Sequence, residues 1–126
     1  MSGVTYDTGM LLAAEANDRV AWALHLRTVA RGIAPVVPAA VLAQAWRGGP
    51  QPALSRLLAA CDVEPIDEAF ARLAGRACAR SSTSDVVDAM VVVGALARHD
   101  LVVTSDVVDL ARIASAIGRR LTLHRI

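Results

Sequence analysis

Short β-branched runs alternate with longer stretches of helical spacing along the whole chain. Val4-Thr5-Tyr6 reads as a strand that stops at Asp7. Met10 to Glu15 and Asp18 to Ala30 carry apolar residues at helical intervals, and Asn17-Asp18 supplies an N-cap for the second. Pro35-Val36-Val37 is the next strand; Pro38 suits the first turn of a helix through Trp46, which Gly48-Gly49-Pro50 ends. Pro52 to Ala60 is helical, and Val63-Glu64-Pro65-Ile66 reads as an edge strand, because its proline would break a central ladder. Helical spacing returns over Asp67 to Arg80, breaks at Ser81-Ser82-Thr83-Ser84, and resumes over Asp85 to Arg98. Leu101-Val102-Val103 is a strand, Val107 to Ile117 a helix stopped by Gly118, and Leu121-Thr122-Leu123 a last strand. Strands separated by helices predict an α/β domain with a central parallel sheet of four to five short strands, covered on both faces.

With 126 residues, 55% of them hydrophobic and 20% charged, residues 1–126 read as a single domain able to bury its own core. The longest uncharged apolar run, Ala89 to Ala97, is about half the roughly 18–20 residues of a membrane-spanning helix. The N-terminus, Met1-Ser2-Gly3-Val4-Thr5-Tyr6-Asp7, lacks a basic start and an apolar core, so a soluble, cytoplasmic protein is expected. Cys61 and Cys78 stand alone, without CxxC spacing, and read as reduced, space-filling thiols. His25, His99 and His124 are scattered, and none is assigned a catalytic role.

Charge changes the picture more than composition does. All thirteen basic residues are arginine, and the net charge of +1 argues against a uniformly basic nucleic-acid coat. The distribution is uneven: residues 110–126 hold Arg112, Arg119, Arg120 and Arg125 and no acid, whereas Asp residues gather between 85 and 109. Asp7 follows the first strand directly, and Asp106 follows the strand at 101–103 after Thr104 and Ser105. Ligands of open α/β sheets bind beyond such carboxyl ends. Asp88 opens the apolar stretch Ala89-Met90-Val91-Val92-Val93, where a lone charge needs a partner or a metal. Converging carboxylates with few cations beside them suit a hard, oxygen-seeking cation, Mg²⁺ or Mn²⁺. Each acid also has a plainer use: Asp85 as an N-cap after the Ser/Thr run, Asp106 as a cap of the last helix, Asp109 as its first-turn acid. The other acids (Glu15, Asp18, Asp62, Glu64, Asp67, Glu68 and Asp100) fit caps and exposed faces, Glu15 least firmly because it shares a helix with the residues after Asp7.

Three stretches resemble one family. Tyr6-Asp7-Thr8-Gly9 with Leu11-Leu12, then Val37-Pro38-Ala39-Ala40-Val41-Leu42-Ala43 leading to Trp46-Arg47-Gly48, then Ser84-Asp85-Val86-Val87-Asp88-Ala89 followed by Val102-Val103-Thr104-Ser105-Asp106 and Asp109-Leu110, are similar in order and interval to the PIN domain of VapC-type toxins. The resemblance implies a three-layer α/β/α fold and a metal-dependent endoribonuclease, the toxin of a type II toxin–antitoxin pair, working on RNA with Mg²⁺ or Mn²⁺ and held by a cognate antitoxin protein. It maps metal ligands onto Asp7, Asp88 and Asp106, a further late acid onto Asp109, and the supporting hydroxyl onto Thr104 or Ser105. Where the family carries Glu on the helix after the second strand, this chain has Gln44. Its amide oxygen can meet a metal or a bound water but brings no charge, so it would hold a divalent cation, and a second metal above all, less tightly; Asp85, one helical turn before Asp88, is a candidate to compensate. A PIN fold that has lost turnover and serves as an RNA-binding or regulatory module is the alternative; a receiver-like or nucleotide-binding domain ranks last for want of GxGxxG or Walker glycines.

Phosphates of an RNA would be held by arginine, with Arg47, Arg112, Arg119 and Arg120 the candidates. Trp22 and Trp46 lie at helical apolar spacing and read as core or interface anchors before base-stacking platforms. Leu11-Leu12 and Leu54, Leu57 and Leu58 exceed what one thin domain should bury, so a homodimer or an antitoxin cover is expected.

Overall fold

Parallel strands cannot be joined by a tight turn, and in this chain at least one helix separates every strand from the next. The structure, a computed structural model, describes residues 3–126; Met1 and Ser2, which open the stretch read as lacking a secretory leader, lie outside the described residues. In chain order the elements are β1 Val4–Tyr6, α1 Thr8–Glu15, α2 Arg19–Ala30, β2 Val36–Pro38, α3 Ala39–Ala45, α4 Pro52–Leu58, β3 Asp62–Glu64, α5 Glu68–Ser81, α6 Val86–Arg98, β4 Leu101–Thr104, α7 Val107–Ala116 and β5 Thr122–Arg125. The five strands form one parallel sheet in the order β3-β2-β1-β4-β5. Helices α1–α4 pack among themselves on one face and α5–α7 on the other, giving three layers, α/β/α. The chain leaves β1 toward β2 and later returns to β1's other side as β4, so a topological switch lies between β1 and β4.

The strand ends differ from expectation by a few residues, each for a local reason. Pro38 closes β2 instead of opening α3: its φ of −58° and ψ of 140° are extended, and it pairs with Glu64. The edge strand β3 starts at Asp62 and stops before Pro65. Thr104 belongs to β4, and the last strand reaches Arg125, held by pairing with β4 and by the Ile126 N–H donating to the Thr104 carbonyl at 2.9 Å.

Of the acids read as caps and exposed faces, Asp100 is buried and Glu64 half-buried. The Arg98 guanidinium, at the end of α6, donates to Asp100 Oδ2 at 2.9 Å and to Thr5 Oγ1 at 3.0 Å, and pairs with Glu64. The Thr5 hydroxyl also donates to Asp100 Oδ2, at 2.8 Å, and Asp100 is buried. Gly94 makes room: a Cβ there would stand 2.8 Å from Glu64 Oε1. Glu15 does cap a helix, though not its own. Its Oε2 accepts from the Leu54 N–H at 3.0 Å, at the start of α4, where Gln51 makes no side-chain cap. Much of the expected leucine surplus is core, since Leu11, Leu54 and Leu57 are fully buried; Leu12 stays 52% exposed. Among the described residues no helix is long and apolar enough to cross a membrane.

Candidate metal centre at the strand ends

Asp7, Asp88 and Asp106 each place a carboxylate oxygen within 4.8 Å of the others. They come from three elements that meet beside the switch point: the end of β1, the first turn of α6 and the residue opening α7. Asp7 is buried and fixed twice. Its Oδ1 accepts from the Thr8 N–H at 2.7 Å as the N-cap of α1, and its Oδ2 accepts from the Thr104 hydroxyl at 2.7 Å. That same hydroxyl accepts from the Asp106 N–H at 2.8 Å, so one buried oxygen positions two of the three acids. Asp106 occupies the N-cap position of α7 but its side chain makes no cap bond, which leaves the carboxylate for the cluster. Asp88 is half-buried. Asp85 caps α6 by accepting from the Asp88 N–H at 3.0 Å, and its charge lies close enough to act on Asp7 and Asp88.

Burial and mutual repulsion set the protonation of the cluster. Asp88 is pushed up to about 7, first by burial and then by the charges of Asp85, Asp7, Asp106 and Asp109. Asp7 is also raised, mainly by burial, against the opposing pull of its bonds from Thr104 and Thr8. None of the four ion pairs among the described residues brings a cation to Asp7, Asp88 or Asp106. An all-oxygen donor set, partly buried and self-repelling, fits a hard divalent cation.

The other sequence candidates fall at graded distances from this cluster. Gln44 is exposed on α3, and its Oε1 accepts from the Thr8 hydroxyl at 2.5 Å, which ties it to the residue after Asp7. Ser105 is exposed and lies against α1: a Cβ at Gly9 would overlap its Oγ. Asp109 turns outward and pairs with Arg112 at 3.7 Å. Arg47 folds back on the end of α3, donating to the carbonyls of Ala43 and Trp46. Arg119 and Arg120 lie before β5, at the amino end of the sheet and away from the acids, in a groove of about 430 Å³. Trp22 is half-buried and donates to the Ala14 carbonyl at 3.0 Å, while Trp46 is 42% exposed. His25 is buried against the Tyr6 hydroxyl at 2.8 Å, and Cys61 and Cys78 are free and half-buried.

The bond from Thr8 to Gln44 and the closeness of Gly9 to Ser105 were not foreseen. Thr8 and Gly9 stand in the first turn after Asp7, where a small residue invites close approach. The β4–β5 register pairs Arg125 with Thr104, a position that local sequence does not announce.

No protein-family model matches the sequence, and no curated protein matches it either. Among solved structures, a chain of the crystal structure of VapBC2 from Rickettsia felis, bound to a DNA fragment from their promoter, matches with a TM-score of 0.73 over 98% of each chain at 15% identity. That likeness gives this chain a three-layer α/β/α, PIN-like fold.

Proposed function

We propose that this chain, read as one domain, is a VapC-type PIN toxin that hydrolyses RNA phosphodiester bonds with Mg²⁺ or Mn²⁺. The observation that carries it is the meeting of Asp7, Asp88 and Asp106 at the switch point of a PIN-like fold, with no ion pair to any of them among the described residues. A bound divalent ion supplies a water of lowered pKa and neutralises charge building on the phosphate. Asp7, Asp88 and Asp106 hold it; Thr104 orients Asp7 and Asp106, and Gln44 fixes Thr8 beside them. Asp109 and Ser105 border the site without joining the three-acid cluster. The partners on this reading are an RNA substrate, a cognate antitoxin protein and a second copy of the chain, in the cytoplasm.

Gln44 supports a second reading, a PIN fold that binds RNA without turnover, because its neutral amide is already engaged by Thr8. The same assay separates the two. Purified protein is incubated with RNA in Mg²⁺, Mn²⁺ or EDTA, beside Asp7→Asn, Asp88→Asn and Asp106→Asn. Cleavage that needs the metal and vanishes in all three variants is expected. Equal cleavage by parent and variants removes the nuclease reading, and binding without cleavage selects the second. Gln44→Glu adds a fourth carboxylate and is expected to tighten Mn²⁺ binding while lowering metal-free stability. An unchanged Mn²⁺ titration would place residue 44 outside the metal's reach.

A further inference from the structure

We propose that the open β5 edge is a phosphate track that leads single-stranded RNA to the acid cluster, with Arg125 as its contact nearest the acids; this rests on the ribonuclease reading. The register sets the geometry. Tyr6 pairs with Val103, so Asp7 and Thr104 stand at one level on neighbouring strands, and Thr104 pairs in turn with Arg125. At about 4.8 Å between strands, the Arg125 backbone lies about 10 Å from that of Asp7, and residues paired across a sheet project from the same face. The face that carries the Thr104 hydroxyl to Asp7 therefore also carries Arg125. Arg125 is exposed and joins none of the ion pairs among the described residues.

The track continues away from the acids. Arg119 and Arg120 precede β5 and line the groove with Ser115 and Gly118, and neither joins an ion pair among the described residues. His124 is exposed between the two ends. No acid occurs in residues 110–126 to neutralise the edge. Arg120 and Arg125 are at most about 17 Å apart along an extended chain, so one single strand of a few nucleotides can contact both ends of the edge. Three cations along a line that ends beside a cluster of anions suit a polyanion whose one phosphate is neutralised by a metal. They suit an acidic protein segment less well, because its carboxylates would meet the acid cluster directly.

The test measures binding in EDTA, where nothing is cleaved. Fluorescence anisotropy of a labelled single-stranded RNA is followed against salt for the parent, Arg125→Gln, Arg119→Gln/Arg120→Gln and, as a control on α5, Arg72→Gln. Arg125→Gln is expected to lower the slope of log K against log salt by about 0.7, and the double variant by about 1.4. The double variant should matter for a long oligonucleotide and not for one too short to reach from the acids to Arg119. Arg72→Gln should change neither, and unchanged melting curves show that all variants fold. Slopes that stay at the parent value overturn the track, whether or not the parent cleaves. Arginine-dependent binding of poly-glutamate, with RNA binding indifferent to the variants, also overturns it in favour of a protein partner. Arginine-dependent RNA binding by a parent that never cleaves upholds the track and removes the nuclease reading instead.

Discussion

At the scale of single residues, the Thr104 hydroxyl carries more of the site than any one acid, because it donates to Asp7 and accepts from the Asp106 N–H. Thr104→Val keeps the shape and removes both bonds. We expect metal-free stability to fall by about 1 kcal/mol and Mn²⁺ affinity to fall by about 10–100-fold, read by thermal melts and by Mn²⁺ titration. An unchanged affinity would mean that the Thr8 N–H alone holds Asp7. Asp88 makes the second residue-scale prediction. Its folded pKa of about 7 lies above the reference of 3.8, so between those values the folded chain binds more protons than the unfolded one. Stability of the metal-free protein must then fall as pH rises through that window and level off above it. Because Asp88 is half-exposed, solvent screening reduces the effect to about 1 kcal/mol. Melts from about pH 5 to pH 8 should show the slope, Asp88→Asn should flatten it, and saturating Mn²⁺ should reverse it, since the ion binds the ionised form. A metal-free protein that grows more stable over that range would exclude the proposed burial of Asp88.

At the scale of elements, the buried network under α6 makes the sharpest test. Arg98 is the shared partner of Glu64 and Asp100, which come from the β3 edge and the entry to β4. Arg98→Met would leave two carboxylates facing each other beneath a helix. We expect a loss of about 3 kcal/mol, partly recovered at acid pH, in urea titrations; a loss under about 1 kcal/mol would mean that the network is solvated. This network also marks where the sequence stops being legible. The order and type of all the elements followed from periodicity, and the convergence of Asp7, Asp88 and Asp106 followed from acids sitting where strands end or an apolar helix begins. Glu64 and Arg98 lie 34 positions apart, and nothing local to either one announces the other. The Glu15 cap on α4 is hidden for the same reason, with 39 positions between donor and acceptor. The last strand was placed too early because Thr122-Leu123-His124-Arg125 has little β-branched character; its backbone pairing with β4, not its own propensity, holds it extended. That misplacement concealed Arg125.

At the scale of the whole molecule, the question is whether the fold depends on a partner. A monomer of 13.2 kDa is expected to expose about 6,400 Å², and this chain exposes 6741 Å², so it encloses its core by itself. The leucines that suggested a surplus are mostly spent inside: Leu11 of α1 and Leu54 and Leu57 of α4 are buried, and the two helices pack together. Apart from Leu12 on α1, the exposed apolar side chains lie elsewhere. On α2, Leu26 is 61% exposed and Val29 38%, and Trp22 precedes Leu26 by one turn on the same stripe. If a second copy or an antitoxin covers that stripe, it covers a surface that the folded monomer already displays. Association and folding are then separable. Leu26→Glu is expected to shift a purified dimer toward monomer in light scattering, because it sets a charge in the centre of the contact. It should leave the thermal melt at low concentration within about 0.5 kcal/mol of the parent, as exposed substitutions do. A variant that unfolds instead would show that α2 needs its partner to form. A variant that remains dimeric would move the interface off α2, toward Leu73 on α5 or Val63 and Ile66 at the β3 edge, which are also exposed.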